Sequence, residues 1–113
     1  MSLDVYLRGN HCSHCDRSDP IYERNITHNL GKMAAEAGIY KALWRPDENG
    51  ITTARQVADA VEPGLVDLKA RPEHYKQFDP ENGWGSYEGL VEFTEDYVKV
   101  CRENPEALVE VSR

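Results

Sequence analysis

Leu3, Val5 and Leu7 alternate with Asp4, Tyr6 and Arg8, and this period-two run constrains the fold more than any other stretch of the chain. Alternation sends the apolar side chains to one face and the polar ones to the other, as in a half-buried strand. Such a strand needs partners, because its backbone N–H and C=O groups are obligatory hydrogen-bonding groups. Gly9 and Asn10 break the run, and residues 9–20 carry Gly, Asn, Ser, Asp and Pro, which reads as a loop. Residues 21–24 resume as a second strand, making a hairpin with the cysteines near its tip. Leu108–Ser112 read as a third strand.

Between these strands the period changes to that of a helix. Asn25 suits a helix N-cap, since its side-chain oxygen can accept from an orphan backbone N–H one turn on. Behind it Ile26, Leu30, Met33, Ala34 and Ala37 fall on one face, and Gly38 supplies a left-handed stop. Residues 39–44 read as one further turn, ended before Pro46. Thr52 or Thr53 can cap a helix with Val57 and Val61 on its inner face. Pro63 is expected to break that run and start a new helix carrying Leu65, Val66 and Leu68. Pro72 ends it, with Tyr75 and Phe78 in a short appended turn. Ser86 caps the last helix, where Leu90, Val91, Thr94, Tyr97, Val98 and Cys101 form one stripe before Asn104-Pro105 closes it.

Strands at both ends with helices between them imply an α+β fold in a single domain spanning residues 1–113. The expected architecture is a small antiparallel sheet, the N-terminal hairpin plus the C-terminal strand, covered on one face by three or four helices. Tyr6 and acidic residues would occupy the other face. With 40% hydrophobic and 29% charged residues, the composition is that of a soluble globular protein. No apolar run approaches the roughly 20 residues needed to span a bilayer, and Met1-Ser2-Leu3-Asp4 has no signal-peptide character. The expected setting is therefore cytoplasmic and away from membranes. A net charge of −7 argues against generic nucleic-acid binding, which depends on Lys and Arg to neutralise phosphates.

The most visible chemical feature is His11-Cys12-Ser13-His14-Cys15-Asp16. Two cysteines separated by two residues can grip one tetrahedral Zn²⁺, because both thiolates of a tight turn point to the same side. Cys12 and Cys15 are the candidate ligands, with His11 or His14 as a third, and a fourth must come from elsewhere, His28 being nearest in sequence. The competing assignment is two free thiols and two exposed imidazoles on a hairpin tip. Thiol oxidoreductases use similar spacing, but they place the first cysteine at a helix N-terminus, whereas Asp16, Ser18, Asp19 and Pro20 follow here. Cys101 lies on the apolar stripe of the last helix and reads as a buried thiol.

A second constellation joins three segments. Asn25, His28 and Asn29 gather at the start of the first helix, Trp44-Arg45 ends it, and Asn82-Gly83-Trp84-Gly85-Ser86-Tyr87 opens the last. Arg45 could pair with a carboxylate or phosphate, while Trp84 or Tyr87 offers a flat face for a ring. Together Asn25, His28, Asn29, Arg45, Trp84 and Tyr87 would line a pocket for a small anionic or aromatic ligand. The structural alternative gives Asn25 a capping role, the tryptophans to the core and the glycines to a turn. His28 is the member least accounted for by packing. No Gly-x-Ser-x-Gly elbow, phosphate loop or His-Glu-x-x-His helix is present.

Asn25-Ile26-Thr27-His28-Asn29-Leu30, Leu43-Trp44-Arg45-Pro46 and Asn82-Gly83-Trp84-Gly85-Ser86-Tyr87 carry a resemblance, joined by Leu3–Leu7 at one end and Val109–Arg113 at the other. In these stretches the chain resembles a family of small uncharacterised proteins encoded by bacteriophages and some bacteria. The resemblance spans nearly the whole chain, with the tip around Cys12 and Cys15 expected to vary most. It implies a cytoplasmic setting in an infected or lysogenic cell and specifies no activity. The expected function is an accessory, non-catalytic binding module for a small ligand or a protein partner. The rival is a small metal-dependent or histidine-assisted hydrolase, which needs an open metal position or a second titratable group beside His28. An acidic protein that occupies a nucleic-acid-binding groove is a third reading, resting on charge.

Overall fold

The alternating first strand sits at the centre of a three-stranded antiparallel sheet of order β2-β1-β3. The computed structural model describes residues 2–9, 20–79 and 85–112. The strands are β1 (Ser2–Arg8), β2 (Pro20–Thr27) and β3 (Leu108–Ser112). The helices are α1 (Gly31–Glu36), α2 (Tyr40–Trp44), α3 (Ala54–Ala70), α4 (Pro72–Lys76) and α5 (Tyr87–Glu103). The fold is α+β as the sequence implies, with the terminal strands paired: Val5 stands opposite Arg24 on one side and Val111 on the other. Leu3, Val5 and Leu7 are fully buried under the helices. Tyr6, half-buried between Glu23 and Glu110 in register, lies on the opposite face.

Two sequence expectations change. Asn25 does not cap a helix. It lies inside β2, opposite Asp4, with its side chain exposed, and the strand runs on to Thr27. Ile26 explains the misreading, because it is in phase with Leu30 and Met33 at helical spacing and also with Tyr22 and Arg24 at strand spacing. Pairing with buried Leu3 decides for the strand. The chain then turns through a 3-10 segment, His28–Leu30, capped by Thr27, whose Oγ1 accepts from the Asn29 backbone N–H at 3.3 Å.

Pro63 does not break α3, which runs through it for 17 residues. The proline loses one intrahelical hydrogen bond. Packing on both sides of it offsets that loss: Val57 and Val61 before it and Leu65 and Leu68 after it are all buried. Gly64 meets the turn between α1 and α2 so closely that a Cβ there would stand 2.2 Å from Ile39 Cγ2 and 2.6 Å from the Ala37 carbonyl oxygen. That turn is made by Gly38 at φ +78°, as its position after Ala37 implied.

α5 completes the cover. Ser86 caps it, its Oγ accepting from the Gly89 N–H at 3.1 Å. Leu90, Thr94, Tyr97, Val98 and Cys101 are buried, and Phe93 joins them. Val91 lies only partly buried at the border of the stripe. β2 is tied to α5 through Asp96, which accepts from the Tyr22 hydroxyl at 2.7 Å and from Arg24 Nη1 at 3.1 Å. These two bonds hold the Asp96 carboxyl below the usual carboxylate range, the Tyr22 hydroxyl contributing most. Among the described residues no helix is long and apolar enough to cross a membrane.

Candidate functional site

Trp44 is 2% exposed and ends α2, so its indole N–H needs an internal partner. His28, sixteen residues earlier, provides it: Trp44 Nε1 donates to His28 Nδ1 at 2.8 Å. This contact orders two of the segments singled out in the sequence. It also fixes the chemistry of the ring, because an imidazole that accepts at Nδ1 carries its proton on Nε2. His28 itself is half-buried.

Around this pair the site is built from the turn outward. Asn29 follows His28 in the same 3-10 turn with its side chain exposed. Tyr40, on the first turn of α2, stacks on Trp44 with ring centroids 5.3 Å apart and an interplanar angle of 16°. Arg45 Nη1 donates to Glu48 Oε2 at 2.6 Å, and the neighbouring Tyr40 hydroxyl and this carboxylate push its pKa further up. The guanidinium is thus permanently charged and already engaged by a carboxylate of its own chain.

The third segment is described from Gly85 onward. Gly85, at φ +103°, sits where a Cβ would lie 2.7 Å from Thr27 Cγ2 and 3.0 Å from Leu30 Cγ. The loop leading into α5 therefore lies against the turn that carries His28 and Asn29. Trp84 itself, the next residue back, falls outside the described residues.

Two members of the predicted set are placed elsewhere. Asn25 belongs to the exposed face of β2. Tyr87 is buried at 8% exposure, its backbone N–H donates to Asp79 Oδ1 at 2.7 Å, and its hydroxyl donates to the Leu68 carbonyl at 2.5 Å. Tyr87 joins α5 to α3 and offers no open ring face. His28 meets Trp44, with Asn29 next to it in the turn and Arg45 next to Trp44 in the chain, while Gly85 packs against Thr27 and Leu30 on either side of that turn.

Tyr40 was not singled out in the sequence. Its spacing to Trp44, four residues on a helix, is the signal that could have found it. The four tip residues named as zinc ligands, His11, Cys12, His14 and Cys15, lie outside the described residues. Among the described residues no group of three or more His, Cys, Asp or Glu side chains is placed to hold a metal ion. Cys101 is fully buried, and burial pushes its thiol up to about 12. Compared with protein-family models, curated proteins and solved structures, the chain matches none of them.

Proposed function

We propose that the chain is a non-catalytic binding module whose ligand site is built on the His28–Asn29 turn, with Arg45 and Trp84 as further members of the site. The observation that carries this reading is the Trp44–His28 hydrogen bond. It presents Nε2–H as an oriented donor, held in place by a buried ring. A ligand that suits it offers a hydrogen-bond acceptor, a carbonyl or carboxylate oxygen, beside a flat group that can stack on Trp84. The same bond counts against a histidine-assisted hydrolase. A general base needs a free ring lone pair, and here Nδ1 is spent on Trp44 while Nε2 bears the proton. The setting that fits is the phage-type accessory protein its motifs resemble, sequestering or sensing a small molecule or a partner's exposed group.

A thermal-shift screen of carboxylic acids, nucleotides and aromatic amides tests this reading, run on the native chain, His28→Asn and Trp84→Ala. Asn keeps an acceptor for Trp44 and removes the Nε2–H donor. A ligand at a hundred times its Kd should raise Tm by roughly 10 °C. That gain should vanish in both variants. A ligand whose effect survives both substitutions, or a panel with no stabilising compound, refutes the proposed site.

A further inference from the structure

Alternation along β1 that buries Leu3, Val5 and Leu7 sends Asp4, Tyr6 and Arg8 to the other face of the sheet, away from the helices. The neighbouring positions of that face, Glu23 and Asn25 on β2 and Glu110 and Ser112 on β3, are exposed. In register, one row across the face reads Glu23, Tyr6, Glu110 and the next reads Asn25, Asp4, Ser112. Tyr6 therefore occupies the middle of the open face, on the central strand. Burial raises the pKa of its hydroxyl, and Asp4, Glu23 and Glu110 raise it further against the opposing effect of Arg8. These carboxylates thus act together on one phenol.

The helical side of the molecule pairs its acids with cations of the same chain: Arg102 takes Asp59 and Glu62, and Lys69 takes Glu95. The sheet face departs from this. Among the described residues neither Asp4 nor Glu23 has a cationic partner, and the residues beside Asp4 in register, Asn25 and Ser112, are neutral. Asp4 and Glu23 are diagonal neighbours on adjacent strands, a separation of about 7–8 Å that one planar cation can bridge.

Arg8 shows which group this surface accepts. Its guanidinium carbon stands 5.8 Å from the centroid of the Tyr6 ring, within cation–π range, and its Nε donates to Glu110 Oε2 at 2.5 Å. One guanidinium thereby meets the ring and the β3 carboxylate at once. The Asp4 and Glu23 side of the same tyrosine offers the matching elements, an aromatic ring and carboxylates, with no cation of the chain upon them.

We propose that the open sheet face docks an arginine-bearing segment of a partner protein, whose guanidinium enters between Asp4 and Glu23 beside the Tyr6 ring. Arginine suits the place better than lysine, because its planar fork can bond two carboxylates while lying on a ring, and because it is the more weakly hydrated cation. The charge of −7 attracts a basic partner and works against a second copy of this acidic chain as the occupant.

The test is a titration of the full chain with the peptide acetyl-Gly-Arg-Gly-Arg-Gly-amide, followed by ¹⁵N–¹H chemical shifts. Lysine and citrulline versions serve as comparisons, citrulline being the uncharged counterpart of arginine. The arginine peptide should shift Asp4, Tyr6 and Glu23, the lysine peptide should bind more weakly, and the citrulline peptide should not bind. Asp4→Asn combined with Glu23→Gln keeps the shape of both side chains on the exposed face and should weaken the arginine peptide by at least roughly tenfold. Arg8→Gln should tighten it, since Glu110 and the rest of the ring become available. His28→Asn should leave it unchanged, which separates this surface from the ligand site proposed above. Equal affinity for the arginine and lysine peptides would overturn the assignment, as would full binding by the Asp4→Asn, Glu23→Gln chain. Shifts confined to the helices, or no binding at millimolar peptide, would overturn it too.

Discussion

His28→Ala separates packing from ligand binding more sharply than any other substitution here. On the sequence, His28 lies off the apolar face, so its removal should shift Tm by a few degrees at most. In the structure its Nδ1 is the acceptor for the indole N–H of a tryptophan that is 2% exposed. Alanine leaves that donor unpaired, and an unsatisfied buried polar group costs about 1–3 kcal/mol. For 113 residues, an unfolding entropy of about 2.1 cal/mol/K per residue converts each kcal/mol into roughly 4 °C. His28→Ala should therefore lower Tm by about 4–12 °C. His28→Asn, which can place its amide oxygen near the site of Nδ1, should recover most of the loss. The assay is urea unfolding followed by circular dichroism, with Trp44→Phe completing a double-mutant cycle. A coupling energy of about 0.5–3 kcal/mol between the two sites is the expected outcome. Additive effects, or a His28→Ala variant within about 0.5 kcal/mol of the native chain, would refute the reasoning.

Three further predictions concern the scaffold. Asp67 accepts from Arg71 Nε at 2.9 Å and from the Tyr75 hydroxyl, and these bonds, Arg71 first, lower its pKa from 3.8 to about 2. A carboxyl depressed on folding stabilises above its unfolded pKa and loses that contribution as pH falls through the folded value. Urea midpoints should thus drop between pH 4 and 2, and Asp67→Asn should remove part of this acid limb; an unchanged limb would contradict it. Gly64→Ala gains about 1 kcal/mol of helix propensity, but its Cβ would overlap Ile39 and the Ala37 carbonyl. Overpacking costs typically 1–3 kcal/mol, so the net change in urea unfolding should be destabilising, and a stabilised variant would show that α3 does not lie against that turn. Cys101, buried with its thiol pushed up to about 12, should resist iodoacetamide at pH 8 until the chain unfolds; peptide mapping that finds it alkylated in the folded chain would remove it from the core.

The fold was legible where one period fits and the other does not. Leu3, Val5 and Leu7 admit only alternation, and Leu90, Thr94, Tyr97 and Cys101 admit only a helix, so the sheet centre and its main cover follow from the sequence. Ile26 satisfies both periods, and a contact with Leu3, distant in sequence, decides between them. Pro63 carries a local breaking signal that buried residues on both sides override. Of the site, the sequence brings forward His28, Asn29 and Arg45 as residues without an obvious packing duty. It cannot show that Trp44 claims one nitrogen of His28, that Glu48 engages Arg45 or that Leu68 takes the Tyr87 hydroxyl. Each of those is a pairing of side chains whose partners are specified by tertiary geometry rather than by spacing.

The central claim is that His28 acts as an oriented donor, and its ring nitrogens can be observed directly. Two-dimensional ¹⁵N–¹H correlation of the imidazole side chains reads which nitrogen carries the proton. The account predicts the Nε2–H tautomer in the free chain, with Nδ1 shifted as an acceptor and the Trp44 indole proton coupled to it. Protonation on Nδ1 would break the bond to Trp44, leave Nε2 with a free lone pair, and contradict the binding-module assignment in favour of a catalytic base.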